Sequence, residues 1–254
     1  ENLDDLIQAV KQHKADVGIG YDGDADRIGT IDEQGSVLWG DRLMVVYARD
    51  ILSVKPGSTI ISEVKSSQSL YDDIAKKGGR PIMWKTGHSL IKAKMKSEQA
   101  VLAGEMSGHM FFADRYFGYD DAIYASCRLV EILAKTTHPL SALVADLPKT
   151  SVTPEIRVDV SDAIKFELAK LVQERLVTCM KTREELGPVK LVVRNVVTID
   201  GVRATFDDGW GLIRASNTQP ALVLRFEAAS PERLATIRAV IEDELIAAKR
   251  ALGC

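Results

Sequence analysis

The stretch STIISEVKSSQSLYDDIAKKGGRPIMW, residues 58–84, contains one complete strand–helix–strand unit. Residues 58–62 are a short β-rich run, 70–77 predict a helix, and Gly78-Gly79 is a C-terminal helix signal ahead of a strand at 81–84. Outward from this unit the alternation continues. A helix is predicted over 42–52, stopped by Pro56-Gly57; downstream come a helix at 89–97, a strand at 100–103 and an amphipathic helix at 121–135. Such alternation predicts an α/β fold: a three-layer domain over 39–148 with a mainly parallel sheet.

The pattern changes after Pro148. Residues 152–158 alternate as a strand, 163–176 predict a helix, and strands then follow one another at 191–199, 202–206, 211–215 and 221–227. Asp200-Gly201 and Asp207-Asp208-Gly209 suit tight hairpins, and a last helix is predicted from Pro231 to about residue 248. Residues 149–254 are therefore expected to form a smaller α+β domain, an antiparallel sheet flanked by helices. At the other end, Leu3, Leu6, Ile7 and Val10 fall at helical spacing and a strand follows at 16–21. That is half of an α/β unit. Residues 1–38 are expected to be the C-terminal remnant of another α/β domain, and the chain the C-terminal portion of a longer protein.

Composition narrows the function classes. Of 254 residues, 46% are hydrophobic and 27% charged, values of a folded globular chain. Lys and Arg number 33 against 36 Asp and Glu, so no basic excess points to nucleic acid. No apolar run approaches the ~20 residues that cross a bilayer. The start, Glu1-Asn2-Leu3-Asp4-Asp5, is acidic and lacks a signal-peptide core. Cys127, Cys179 and Cys254 are scattered with no CxxC, against a disulfide framework or zinc site. A soluble, cytoplasmic protein is the expectation.

Three loops carry chemistry. Asp22-Gly23-Asp24-Ala25-Asp26-Arg27 places three carboxylates within five residues, which repel one another unless a cation gathers them. Fully extended, Asp22 and Asp26 would stand about 13 Å apart at ~3.3 Å per residue, so the chain must curl if one ion is to hold both. Oxygen ligands favour Mg²⁺, Mn²⁺ or Ca²⁺ over zinc. An EF-hand fits poorly: its sixth position, a turn glycine, is Arg27, and the flanks read as strands. An acidic hairpin in which Arg27 is only a charge partner is the plainer alternative. Gly104-Glu105-Met106-Ser107-Gly108-His109 offers a carboxylate, a hydroxyl and an imidazole, groups that read sugar hydroxyls and, in His109, move protons at neutral pH. Arg214-Ala215-Ser216-Asn217-Thr218-Gln219-Pro220 has the donors of an anion cradle, with Arg suited to a bidentate grip on phosphate. Taken singly, the second and third loops are also readable as ordinary turns.

In this order, the three loops resemble the α-D-phosphohexomutase superfamily, with its bacterial phosphomannomutase/phosphoglucomutase group the nearest likeness. Lys85-Thr86-Gly87-His88-Ser89 and Phe117-Gly118-Tyr119-Asp120-Asp121 fit as well, so the resemblance spans nearly the whole chain. It implies four domains around a cleft. A phosphoserine in the first gives its phosphoryl group to a sugar phosphate, and the bisphosphorylated sugar returns the other phosphate. The serine loop, in this family Thr-Ala-Ser-His-Asn-Pro, is nowhere in these residues. The missing N-terminal domains would supply it, and the isolated chain is expected to be inactive.

The resemblance also assigns roles. Asp22, Asp24 and Asp26 would bind Mg²⁺ beside the phosphoserine, and Arg27 would support the transferring group. Glu105 and Ser107 would bond sugar hydroxyls, O3 and O4 in this family, while Arg214, Ser216, Asn217 and Thr218 hold the non-reacting phosphate. Lys65 and His88 would be further substrate contacts and His109 a catalytic proton carrier. Met106 is typical of the mannose/glucose group, and those sugars differ only at C2, so either mannose or glucose phosphate is the implied substrate. Two alternatives remain at this point. One is a phosphosugar-binding module that turns nothing over; the other is a metal-dependent phosphatase, which leaves the third loop unexplained.

Overall fold

The structure, a computed structural model, describes residues 3–253. Glu1 and Asn2 of the acidic start, and Cys254, lie outside the described residues. The chain divides into two compact units, Glu1–Pro148 and Lys149–Cys254, each with its own core.

The first unit opens with α1 (Asp4–His13) packed on a hairpin of β1 (Val17–Tyr21) and β2 (Ile28–Asp32), which β3 (Val37–Leu38) extends as a third antiparallel strand. Next come α2 (Gly40–Val54), β4 (Thr59–Glu63), α3 (Gln68–Lys76), β5 (Arg80–Trp84), α4 (His88–Glu98), β6 (Leu102–Gly104), β7 (Met110–Phe112) and α5 (Ala122–Ala134). The sheet order is β5-β4-β6-β7, with β4 parallel to both neighbours and β7 antiparallel to β6. Strand alternation separates two cores. Ile60, Leu102, Met110 and Phe112 face α2, α3 and α5, while Ile61, Ala103 and Phe111 face Ile91 and Met95 of α4. That is a three-layer α/β arrangement.

The topology also says where a ligand belongs. From β4 the chain crosses by α3 to β5 on one side, then by α4 back over β4 to β6 on the other. Loops after β4, β5 and β6 therefore converge at the carboxyl ends of the strands where the connections reverse, the usual ligand position in an open α/β sheet.

The second unit is an antiparallel sheet of order β12-β13-β14-β15-β8, with β9 also paired to β15. Its strands are β8 (Ser151–Val152), β9 (Ile156–Asp159), β12 (Asn195–Val197), β13 (Val202–Phe206), β14 (Gly209–Ala215) and β15 (Ala221–Ala228). A separate two-stranded ladder joins β10 (Glu185–Leu186) to β11 (Leu191–Val192). Helices α6 (Lys165–Thr182) and α7 (Pro231–Ala251) pack their apolar faces on Ala204, Ile213, Leu224 and Phe226. Some predicted bounds change here. The strand expected at 152–158 is broken because Pro154 has no N–H for the ladder, and the Thr153 hydroxyl accepts from Phe226 N instead. The strand expected at 191–199 also divides, into β11 and β12. Helix α6 runs past residue 176, because Cys179 is still buried, and ends on Arg183 in a left-handed cap.

Candidate functional site

The loop between β1 and β2 does curl. Ala25 takes φ 59°, its N–H reaches Asp22 O at 3.2 Å, and ligand oxygens of Asp22, Asp24 and Asp26 all lie within 4.8 Å of one another. Arg27 closes the turn: its main-chain N and Nε donate to the two Asp22 carboxylate oxygens at 3.1 and 2.5 Å. Burial pushes the Asp22 carboxyl up, but the Arg27 bonds outweigh it and hold it below the usual carboxylate range. Asp26 goes the other way. Burial raises it; His109 pulls it down, and the charges of Asp22, Asp24 and Asp120 push it up again, leaving it above that range. A cation among the three carboxylates would relieve that repulsion, and an all-oxygen donor set suits Mg²⁺.

This loop is bound to the second one. Ile28 N donates to Gly108 O at 3.1 Å, and Arg27 and His109 form an isolated antiparallel bridge. Gly108 is required there: its φ is +101°, and a Cβ would come within 2.5 Å of Ile28 O. Within the second loop, Glu105 is 5% exposed and holds two donors, Gly87 N at 2.7 Å and Ser107 Oγ at 3.0 Å. The buried Glu63 carboxylate at the end of β4 accepts from Met106 N, Lys65 N and Thr86 Oγ1. Lys65 itself is buried, its Nζ 4.0 Å from Glu63.

His109 sits among carboxylates and another imidazole. Its Nδ1 lies 3.2 Å from Asp120 Oδ2 and 3.6 Å from Asp26 Oδ2, distances of ion pairing without the direction of a hydrogen bond. The His88 ring stacks on it at 5.8 Å, and His88 Nδ1 is 3.5 Å from the same Asp120 oxygen. Lys92 donates to the other Asp120 oxygen at 2.9 Å. Burial raises the Asp120 carboxyl, and the Lys92 hydrogen bond leads the interactions that carry it below its ordinary value. The structure thus gathers Asp22, Asp24, Asp26, Arg27, Lys65, His88, Glu105, Ser107 and His109 in one unit.

The third loop lies in the second unit, between β14 and β15. Arg214 is 4% exposed and its Nε donates to Asp200 Oδ2 at 2.9 Å. Ser216 Oγ accepts from Thr218 N at 3.4 Å and Gln219 N at 3.2 Å, which leaves its hydroxyl hydrogen as a donor. Asn217 and Thr218 are exposed. The Asp200-Gly201 turn that supports Arg214 is tight: Gly201 has φ +72°, and a Cβ would meet Ile213 O at 2.2 Å. Gly201→Ala should therefore cost about 1–3 kcal/mol and lower the thermal midpoint; an unchanged midpoint contradicts this packing.

Glu63, Asp120, Lys92 and Asp200 were not among the residues expected to serve the site. Each acts across a long sequence separation, so only strand order brings it into place. Their one sequence signal was position: Glu63 beside Lys65, Asp120 in the Phe117–Asp121 segment, Lys92 one helical turn after His88, and Asp200 in a turn.

Comparison with known proteins agrees along the chain. Three family profiles match: "Phosphoglucomutase/phosphomannomutase, alpha/beta/alpha domain II" over residues 1–35, "alpha/beta/alpha domain III" over 39–151 and "C-terminal domain" over 155–244. A phosphomannomutase/phosphoglucomutase of Pseudomonas putida is 46% identical over 246 residues, covering 97% of this chain and 50% of the relative. A Neisseria gonorrhoeae phosphoglucomutase is 43% identical, covering 95% and 51%. The crystal structure of a Burkholderia thailandensis phosphoglucomutase/phosphomannomutase family protein superposes with a TM-score of 0.84 at 42% identity, covering 98% of this chain and 50% of that one. The chain spans about half the length of the curated relatives it matches. With profiles of three successive domains matched in order, the chain belongs to the phosphoglucomutase/phosphomannomutase family.

Proposed function

We propose that these residues work as the C-terminal part of a phosphohexomutase that interconverts hexose 1-phosphate and hexose 6-phosphate, with glucose and mannose phosphates as substrates. One observation carries the reading: the three aspartates, Arg27, Glu105, Ser107 and His109 come together through main-chain bonds between two loops. On this reading 1–38 is the end of one domain, 39–148 a sugar-binding domain and 149–254 a phosphate-binding domain, in a cytoplasmic enzyme. Among the described residues no helix is long and apolar enough to cross a membrane.

Asp22, Asp24 and Asp26 would hold Mg²⁺, which when bound neutralises charge on the transferring phosphoryl group. Arg27 keeps Asp22 ionised and adds positive charge beside it. Glu105, anchored by Gly87 N, accepts from one sugar hydroxyl while Ser107 bonds its neighbour. His109 takes or returns the proton of the reacting hydroxyl at a ring nitrogen, its ring placed by the stacked His88 and by Asp120 Oδ2 at 3.2 Å from Nδ1. Lys65 and His88 line the same strand ends and contact the substrate. Arg214, with Ser216, Asn217 and Thr218, holds the phosphate that does not react.

The full-length protein, incubated with a hexose 1,6-bisphosphate, should acquire one phosphoserine in a peptide outside this chain, read by mass spectrometry. A stable phosphoryl group on one of these 254 residues instead rejects the reading. In the same protein Arg214→Ala should weaken glucose 1-phosphate binding by about 1.5–3 kcal/mol, the worth of a hydrogen bond to a charged group. Calorimetry reads this directly, and wild-type affinity would mean that the phosphate is held elsewhere.

A further inference from the structure

Glu63 is 0% exposed, and its carboxylate accepts from three loops at once. Oε2 takes Lys65 N at 2.7 Å, from the loop after β4, and Thr86 Oγ1 at 3.1 Å, from the loop after β5; Oε1 takes Met106 N at 3.3 Å, from the loop after β6. The main-chain oxygen of Glu63 accepts from Tyr71 OH at 2.7 Å, which ties the residue to α3. A buried carboxylate is costly unless well bonded, so its presence here needs a reason. Part of it is charge, since the buried Lys65 Nζ lies 4.0 Å from Oε1, and the rest is acceptor count. All three donors point inward, and only an ionised carboxylate accepts on both oxygens without offering a proton of its own. An amide would turn its N–H₂ against at least one of them.

The three loops are also those that carry the substrate contacts. Gly87, next to Thr86, donates to Glu105 Oε1, and Met106, next to Glu105, is pinned by Glu63 itself. Glu63 therefore sets both the backbone that carries Glu105 and the N–H that aims its carboxylate. We propose that Glu63 is a positioning residue for sugar recognition: it touches no sugar, yet fixes the register in which Glu105 and Ser107 meet the ring hydroxyls. The inference rests on the assignment of those two residues to the sugar.

The test uses the full-length enzyme and two substrates, glucose 1-phosphate and its 3-deoxy analogue. The ratio of their kcat/KM values measures how well the hydroxyl is read. Glu63→Gln should lower kcat/KM for glucose 1-phosphate by roughly 10–100-fold, the cost of leaving a buried donor unpaired, with a much smaller loss on the deoxy sugar. The ratio then collapses toward one. Thr86→Val, which leaves the Glu63 carboxylate in place, should move the ratio the same way by about 3–10-fold. Thermal unfolding identifies any variant that has lost its fold. A folded variant of either kind that keeps the wild-type ratio overturns the proposal. A wild-type enzyme indifferent to the deoxy sugar overturns the assignment of Glu105 and Ser107 instead, and this inference with it.

Discussion

Incubated alone with glucose 1-phosphate, Mg²⁺ and a bisphosphorylated sugar, the 254-residue chain should leave its substrate unconverted. In the proposed reaction a phosphoserine is both the first donor and the last acceptor, and covalent catalysis fails when its nucleophile is absent. Ser107 and Ser216 do not replace it. Ser107 donates to Glu105, and the Ser216 oxygen accepts from Thr218 N and Gln219 N. Binding is a different matter, since the residues proposed to hold sugar and phosphate, Glu105, Ser107 and Arg214, lie in this chain. A coupled assay for glucose 6-phosphate measures the loss, and clear turnover by the purified chain rejects the account of the reaction.

The second large effect is expected at Asp24. Asp22 is partly neutralised by Arg27 and Asp26 faces His109, so Asp24 is the carboxylate whose charge is least committed to protein partners among the described interactions. In the full-length enzyme Asp24→Asn should lower kcat by about 10²–10³-fold, the usual cost of removing one electrostatic stabiliser from a transition state. Substrate affinity should change little, because on the proposed reading Glu105, Ser107 and Arg214, not Asp24, hold the sugar and the phosphate. Chelating the divalent ion should reduce kcat in the same way in the wild type. An Asp24→Asn enzyme with unchanged kcat would remove Asp24 from the reaction centre.

Much of this was legible because it is local. The aspartate loop announced itself by charge repulsion within five residues, and the strand–helix–strand unit at 58–84 by its Gly78-Gly79 stop. The parallel part of the sheet followed from alternation, whereas the antiparallel edge strand β7 did not. The supporting residues were not legible, for a physical reason. Glu63 and Met106 are 43 positions apart, and Asp200, in the turn before β13, is 14 positions from Arg214 on β14. Which donors meet those carboxylates depends on strand order and register, and a single sequence carries neither. The break at Pro154 is different: one strand was expected over 152–158, although the proline inside that run is a local signal against a continuous ladder. The left-handed stop at Arg183 had no such signal, because a non-glycine residue occupies it.

The central claim is that these loops belong to an enzyme moving phosphate between C1 and C6 of a hexose. Phosphorus NMR of the full-length protein with Mg²⁺ and a trace of hexose 1,6-bisphosphate, given glucose 1-phosphate and then mannose 1-phosphate, tests it most directly. The account predicts that the 1-phosphate resonance is replaced by that of the 6-phosphate for either sugar, without accumulation of inorganic phosphate. Both substrates unchanged, or inorganic phosphate as the main product, would contradict it.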